Sequence, residues 1–435
     1  MIRHTLILYM LISAAAIANA QTENTLTLTL ADCRTLALEY NKEMAASAQA
    51  TKSATYTAKS YKGNFLPDIS ASGTGMYSTA DGSLGLLGYN MDYEIGTVWA
   101  GGVMVEQPIY MGGKINSAYR MAQIGRDIAQ KQETLTATDV IQATDEAFAQ
   151  VIKAEEMTKV AQSYRSLLTE LMRTVESAYR NGMKPKNDVL KVQVRLNESE
   201  LSLRKAENAS RLARMNLCHY IGKPLDTDIQ LSGGLPEVER PALMQTSDVS
   251  ARPEYAILEH QVALARQEIK LNRSELLPKI GAAAAYNYVH GIDFNDRTLL
   301  DKGSFAAVLN VSIPIFHFGE RKNKVNAAKA KLVQTQLEQQ DMNEKMVLEL
   351  SQAANNLDEA FLERDIADRS LTQAEENMRV SRKQYDAGME TLSDHLEAQT
   401  LWQQAYEQKV DAAYQLYLAY IAYQKAAGTL YSDSQ

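Results

Sequence analysis

Two stretches, "SAYRNGMKPKNDVLKV" (177–192) and "KQYDAGMETLSDHLEA" (383–398), stand 206 residues apart and agree at five of sixteen positions: Tyr179/Tyr385, Gly182/Gly388, Met183/Met389, Asp188/Asp394 and Leu190/Leu396. Ordinary residue frequencies give about one match by chance. Gly182 and Gly388 suit the left-handed residue just past a helix end. Asn187 and Ser393 suit the N-cap of a following helix. Each stretch therefore reads as helix, short loop, helix. A plain αα-turn explains the Gly and the cap, but not the Met at a loop or the repeated Asp and Leu. A flexible apolar Met at a turn favours a docking surface.

The repetition extends outward in both directions. "EQPIYMGGK" (106–114) aligns with "SIPIFHFGE" (312–320) at the same offset, which then holds without a gap to Gly222 and Gly428. Upstream, Leu66-Pro67, Ile69 and Tyr77 align with Leu277-Pro278, Ile280 and Tyr288 at an offset of 211. Register kept over that length points to a duplicated chain. The first repeat covers 21–222: a helix about 31–65, strands about 66–77 and 97–110, a long helix about 113–181 and a helix about 187–221. A Pro-, Gly- and Asp-rich linker over 223–246 follows. The second repeat covers 247–429: a helix about 247–276, strands about 277–289 and 303–316, a long helix about 319–387 and a helix about 393–428. A tail over 430–435 closes the chain.

The fold class is thus mainly α with a small β part. Between Glu320 and Ala387 there is neither Gly nor Pro. Met346, Leu350, Ala353, Leu357, Ala360 and Phe361 recur at three- and four-residue steps, the seam of a coiled-coil-like helix. At 1.5 Å per residue that helix is about 100 Å long, and a compact enzyme is hard to build around it. The strands alternate. In "SFAAVLNVSIPIF" (304–316), Phe305, Ala307, Leu309, Val311 and Ile313 share one face, and Ala306, Val308, Asn310 and Ser312 the other. Trp99, Gly101, Val103 and Val105 fall on the equivalent face of "TVWAGGVMVEQPIY" (97–110). Both a tilted transmembrane strand and a half-buried strand of a soluble sandwich show this alternation. Pro67, Pro108, Pro278 and Pro314 are expected where the sheet ends. Four strands cannot close a barrel, for which about eight is the smallest that fills properly, and open edges cannot face lipid. If these strands enter a membrane, the chain must oligomerise.

Residues 1–20, "MIRHTLILYMLISAAAIANA", have a basic start, an apolar centre and an Ala-x-Ala close, and read as a secretory signal peptide. The formal charge of −8 offers no basic face and argues against a nucleic-acid partner. Cys33 and Cys218 could form at most one disulfide and no metal framework. Walker A, dinucleotide-binding and H-E-x-x-H patterns are missing, and His4, His219, His260, His290, His317 and His395 have no ligand spacing. No catalytic residue, cofactor or metal is expected, and the chain is not read as an enzyme.

The order strand, strand, long helix, G-M-x-x-x-x-D-x-L turn, shorter helix, written twice, resembles the TolC-like outer membrane efflux proteins, or outer membrane factors. "LTLADCRTLALEYN" (28–41) is similar to that family's N-terminal signature, and "LPDIS", "QPIYMGG" and "IPIFHFG" to its strand borders. The resemblance covers 28–429. It implies a homotrimer whose twelve strands close one transmembrane β-barrel in outer membrane lipid, continuing into a long periplasmic α-helical barrel. It further implies the exit duct of a tripartite efflux pump or type I secretion system. Such a duct works passively with a periplasmic adaptor (membrane fusion protein) and an inner-membrane pump. By position, Asp394 and Glu397 match an acidic ring at the periplasmic constriction, and Tyr385 a residue that keeps the entrance shut. Asp188 is the first-repeat counterpart of Asp394. Gly182, Met183, Leu190, Gly388, Met389 and Leu396 would form the adaptor-docking tips. The basic partner expected two residues after the second Gly is Glu390 here, a departure from the family's latch. The alternative is a non-pore periplasmic or surface coiled-coil scaffold or adaptor.

Overall fold

The computed structural model describes residues 26–86, 89–240, 248–294 and 297–431. The expected signal peptide at 1–20 and the last four residues of the expected tail lie outside them. In chain order the elements are β1 (Leu26–Leu28), α1 (Leu30–Tyr40), α2 (Lys42–Gly63), β2 (Asp68–Leu86), β3 (Tyr89–Tyr110), α3 (Lys114–Arg180), α4 (Lys186–Tyr220), β4 (Ile229–Leu231), α5 (Pro253–Ser274), β5 (Lys279–Phe294), β6 (Arg297–Ser312), α6 (Glu320–Asp386) and α7 (Leu392–Ala426). The two long helices, α3 and α6, have 67 residues each and the helices after them 35 each, so the matched offsets carry through to matched element lengths. Among the described residues no helix is long and apolar enough to cross a membrane.

The chain forms two compact units that cut across the repeats seen in the sequence. One comprises Ala48–Gln132 and Glu254–Asn343, and the other Met1–Ser47, Glu133–Pro253 and Glu344–Gln435. Each draws on both repeats.

The first of these units holds an antiparallel sheet in the order β2-β3-β5-β6, leaving β2 and β6 each with one partner among the described residues. Register places like with like. Ala71, Val103, Tyr286 and Phe305 lie in one cross-strand row, and Ile69, Val105, Ala284 and Ala307 in another on the same face. On the opposite face the rows are Ser72, Gly102, Asn287, Ser304 and Ser70, Met104, Ala285, Ala306. Side chains alternate across a strand, so one face is dominated by large apolar side chains and the other by small and polar ones, with Met76, Met104 and Val308 among them. Ile69, Tyr77, Trp99, Val103, Tyr286, Phe305, Leu309 and Val311 are all exposed on the apolar face. A side chain at Gly102 would collide with the Asn287 carboxamide, so Gly there keeps the polar face open. The strands outrun the expected bounds because the Gly- and Asp-rich tips pair nearly to their turns. At the other end β6 stops at Ser312, before Pro314, while Pro108 sits inside β3 where the register shifts toward Tyr110, a position that tolerates a missing N–H.

The second unit is helical. The single helix expected over 31–65 is two, because the Asn41 side chain ends α1: its amide donates to the Tyr220 carbonyl (3.1 Å) and its oxygen accepts from Glu43 N–H (2.7 Å). Thr29 and Asp32 cap α1 reciprocally, with Thr29 N–H to Asp32 Oδ2 at 2.9 Å and Asp32 N–H to Thr29 Oγ1 at 3.2 Å, a capping box. The stretch read as linker contains β4, which pairs in parallel with β1. Around this join Cys33, Phe148, Val151, Leu217, Cys218, Ile221 and Ile229 make a dry core. Arg34 crosses to Asp145, whose side chain is fully buried, with Nε–Oδ1 at 2.8 Å and Nη2–Oδ2 at 2.5 Å. On α6, Met346, Leu350, Ala353, Leu357 and Ala360 are buried, the seam expected from their spacing, and Phe361 is half-buried. Removing a Leu such as Leu357 from water contributes roughly 1.5–3 kcal/mol.

Candidate functional site

The two helix turns end alike. Gly182 (φ 73°) and Gly388 (φ 70°) are left-handed. Their N–H groups donate to Tyr179 O (2.9 Å) and Tyr385 O (3.0 Å), and those of Met183 and Met389 to Ala178 O and Gln384 O at 2.9 Å. These paired bonds are the Schellman motif, which satisfies the last carbonyls of a helix. The methionine that follows is left outside: Met183 is 68% exposed and Met389 76%.

The restarts lie two residues before the expected caps. Pro185 and Thr391 are the N-cap residues, not Asn187 and Ser393. Thr391 wins because Asp394 stands three residues on. Thr391 Oγ1 donates to Asp394 Oδ2 (2.7 Å) and accepts from Asp394 N–H (3.3 Å), closing a second capping box. Asp394 therefore serves the helix start, while its carboxylate and that of Glu397 both stay exposed on the same stripe of α7. Asp188, in the first turn of α4, is half-buried. Leu190 is 53% exposed, but its counterpart Leu396 is 7% exposed and packed in the core. Leu396 is thus corrected from docking tip to core residue: it sits on the face of α7 that also buries Leu392 and Trp402.

Around that face α3, α4, α6 and α7 share one cluster, including Leu168, Val175, Val192, Leu371, Tyr385, Leu396 and Trp402. Near the turns, polar links cross between the helix pairs. Arg382 pairs with Glu170 (3.1 Å), Lys191 Nζ donates to Ser393 Oγ (3.1 Å), and Lys184 Nζ lies 5.0 Å from the Tyr385 ring centroid. Burial raises the Tyr385 phenol above its ordinary range, helped by the negative charges of Asp188 and Asp386.

The sequence did not disclose His395. Its ring stacks on Tyr385 at 5.0 Å with planes 5° apart. Nδ1 lies 3.0 Å from Ser381 Oγ and Nε2 lies 3.0 Å from Gln399 Nε2, and Ser381 Oγ donates to Glu390 Oε1 (2.9 Å). Burial pushes His395 below the usual imidazole range; Glu390 and Asp386 oppose the shift and Arg382 adds to it. One signal was available: by offset, His395 stands where the first repeat has the partly buried Val189, which marks an apolar-face position.

A family profile described as "Outer membrane efflux protein" matches residues 34–223 and 250–429. The alkaline protease secretion protein AprF of Pseudomonas aeruginosa is 22% identical over 294 residues, 66% of this chain and 60% of AprF. The chain thus spans about three-fifths of that relative's length. The pyoverdine export outer membrane protein OpmQ of the same organism is 23% identical over 339 residues, 75% of this chain and 69% of OpmQ. The crystal structure of the Campylobacter jejuni CmeC outer membrane channel superposes with a TM-score of 0.80 at 18% identity, covering 93% of this chain and 87% of that one. At such identity the last likeness is one of fold.

Proposed function

The chain belongs to the outer membrane efflux protein family, and from that premise we propose that it is an outer membrane exit duct with a large periplasmic helical portion. It carries solutes or secreted polypeptide passively outward from an inner-membrane pump and its periplasmic adaptor, in a tripartite efflux pump or a type I secretion system. The observation that supports this most directly is the sheet. It is apolar on one face and mostly small or polar on the other, and β2 and β6 each lack a second partner among the described residues. Open strand edges are not tolerated in hydrocarbon, so identical copies must supply the missing partners. Three copies give twelve strands, enough to close a barrel around water, with the row of Tyr286 and Phe305 toward lipid.

The helix turns are the duct's periplasmic entrance. Asp394 and Glu397 line it as an acidic ring, Asp188 and Tyr385 help to hold it shut, and Met183, Met389 and Leu190, set by Gly182 and Gly388, meet the adaptor. Outer membrane fractions should yield an SDS-resistant trimer whose mobility changes on heating. Release of the protein by salt alone, as a monomer, would overturn the duct in favour of a scaffold.

A further inference from the structure

Resting on the reading that the α6–α7 turn is an entrance, we infer that His395 is the residue that latches this turn, and that the latch opens when His395 takes up a proton. The hydrogen-bond directions fix the resting state. Ser381 has a single hydroxyl proton and gives it to Glu390 Oε1 (2.9 Å), so at His395 Nδ1 its oxygen must accept, and Nδ1 carries hydrogen. On the other side the neighbour is the Gln399 amide nitrogen, a donor only, so Nε2 must accept. The packed imidazole is neutral, in the Nδ1–H tautomer.

The surroundings oppose a second proton. His395 and Gln399 are each 4% exposed and line a cavity of about 70 Å³ together with Arg382, Tyr385 and Asp386. The charged and titratable groups facing the ring come from every packed element. From α6 these are Arg382, Tyr385 and Asp386, from the turn Glu390, from α3 Glu170 through its pair with Arg382, and from α4 Asp188, whose charge acts on the stacked Tyr385. Lys184 of the α3–α4 turn already lies over the Tyr385 ring, so an imidazolium would be a second cation on one π-system. Glu390 and Asp386 favour the charge, but burial outweighs them and the net shift is downward. Protonation also demands an acceptor at Nε2. The Gln399 amide presents its nitrogen there, and its buried Oε1 has no hydrogen-bond partner among the described residues, so the amide must turn over before it can accept from a protonated ring.

The sign follows from linkage. With the turn packed, His395 titrates below 6.5; with the turn open and wet it titrates near 6.5. Above that pH both forms are neutral and the latch is at full strength. As pH falls from about 6.5 through the packed-state value, the open form binds the extra proton and the closed form loses ground, by at most about tenfold in the closed-to-open ratio per pH unit for one histidine.

The test uses the full-length protein in planar bilayers between pH 7.5 and 5, with Trp402 emission as a second readout. Trp402 belongs to the same buried cluster as Tyr385, and Trp99→Phe leaves it the sole tryptophan. Acid should raise conductance and shift Trp402 emission to the red. His395→Val, which copies the Val189 of the first repeat, should abolish both changes, and Glu390→Gln should move their midpoint to lower pH. A conducting protein whose acid response persists in His395→Val, or that has none, overturns the latch. If the Trp402 shift depends on His395 but no current flows at any pH, the latch stands and the duct reading falls.

Discussion

Tyr385 and His395 face each other across the α6–α7 turn, rings 5.0 Å apart and nearly parallel. This stack joins the last turn of one helix to the first turn of the next, and Leu392, Leu396 and Trp402 seal it from water. Its strength lies in ring contact and burial. Tyr385→Phe should therefore leave the entrance as closed as in the native protein. Tyr385→Ala removes the ring, costs about 3–5 kcal/mol locally, and should raise conductance at neutral pH. Single-channel recording of both variants checks this; a Phe variant as open as the Ala variant would move the latch to the phenol and Asp188.

The Arg34–Asp145 pair fastens α1 to α3 through a carboxylate with no exposure. Removing one partner strands the other charge in the core, at about 3–5 kcal/mol. Arg34→Met should lower the melting temperature of the helical signal in detergent, and adding Asp145→Leu should recover most of the loss. A double variant no better than the single one would mean that the pair's geometry, not its charge balance, holds the join.

Gly388 has open space where a Cβ would stand, and its φ of 70° is the sole obstacle to a side chain. The strain costs roughly 1–2 kcal/mol, too little to block assembly. Gly388→Arg and Met389→Glu should therefore reach the outer membrane as trimers yet lose export, with Gly388→Asn, which tolerates the left-handed backbone, close to native. Drug-susceptibility assays beside immunoblots of membrane fractions separate the two effects. Native export in Gly388→Arg and Met389→Glu would remove the turn from the docking surface.

α6 was legible because sixty-odd residues without Gly or Pro, with apolar positions at three and four, admit one regular solution, and α3, which carries a lone Gly125, was legible through its repeat register with α6. The break at Asn41 was not, since its cause is the carbonyl of Tyr220, 179 positions away. β4 is three residues long and gains its meaning from β1. The strand tips read as loops because composition reports burial, and a ladder at a hairpin end buries little. The caps were misplaced by weighing Asn187 and Ser393 alone; the spacing from Thr391 to Asp394 carried the better signal. His395 looked like any scattered histidine until Ser381 and Gln399 closed around it.

The helix cap that Asp394 makes and the acidic ring proposed for it can be pulled apart by mutation. Its carboxylate caps Thr391 N–H at 3.4 Å and, with Glu397 one turn on, presents charge on the open stripe of α7. If the proposed trimer forms, the two positions supply six carboxylates, which at the proposed entrance would attract cations and repel anions. Asp394→Asn with Glu397→Gln removes the charge and keeps an oxygen for the cap, whereas Thr391→Ala weakens the cap, by about 0.5–2 kcal/mol, and keeps the charge. Cation selectivity in planar bilayers should fall in the first variant and hold in the second. The difference should be larger in 0.1 M salt than in 1 M, because the screening length shrinks from about 10 Å to about 3 Å. Equal selectivity in both variants at low salt would show that these carboxylates face away from the conducting path, leaving the helix cap as the sole reason for Asp394.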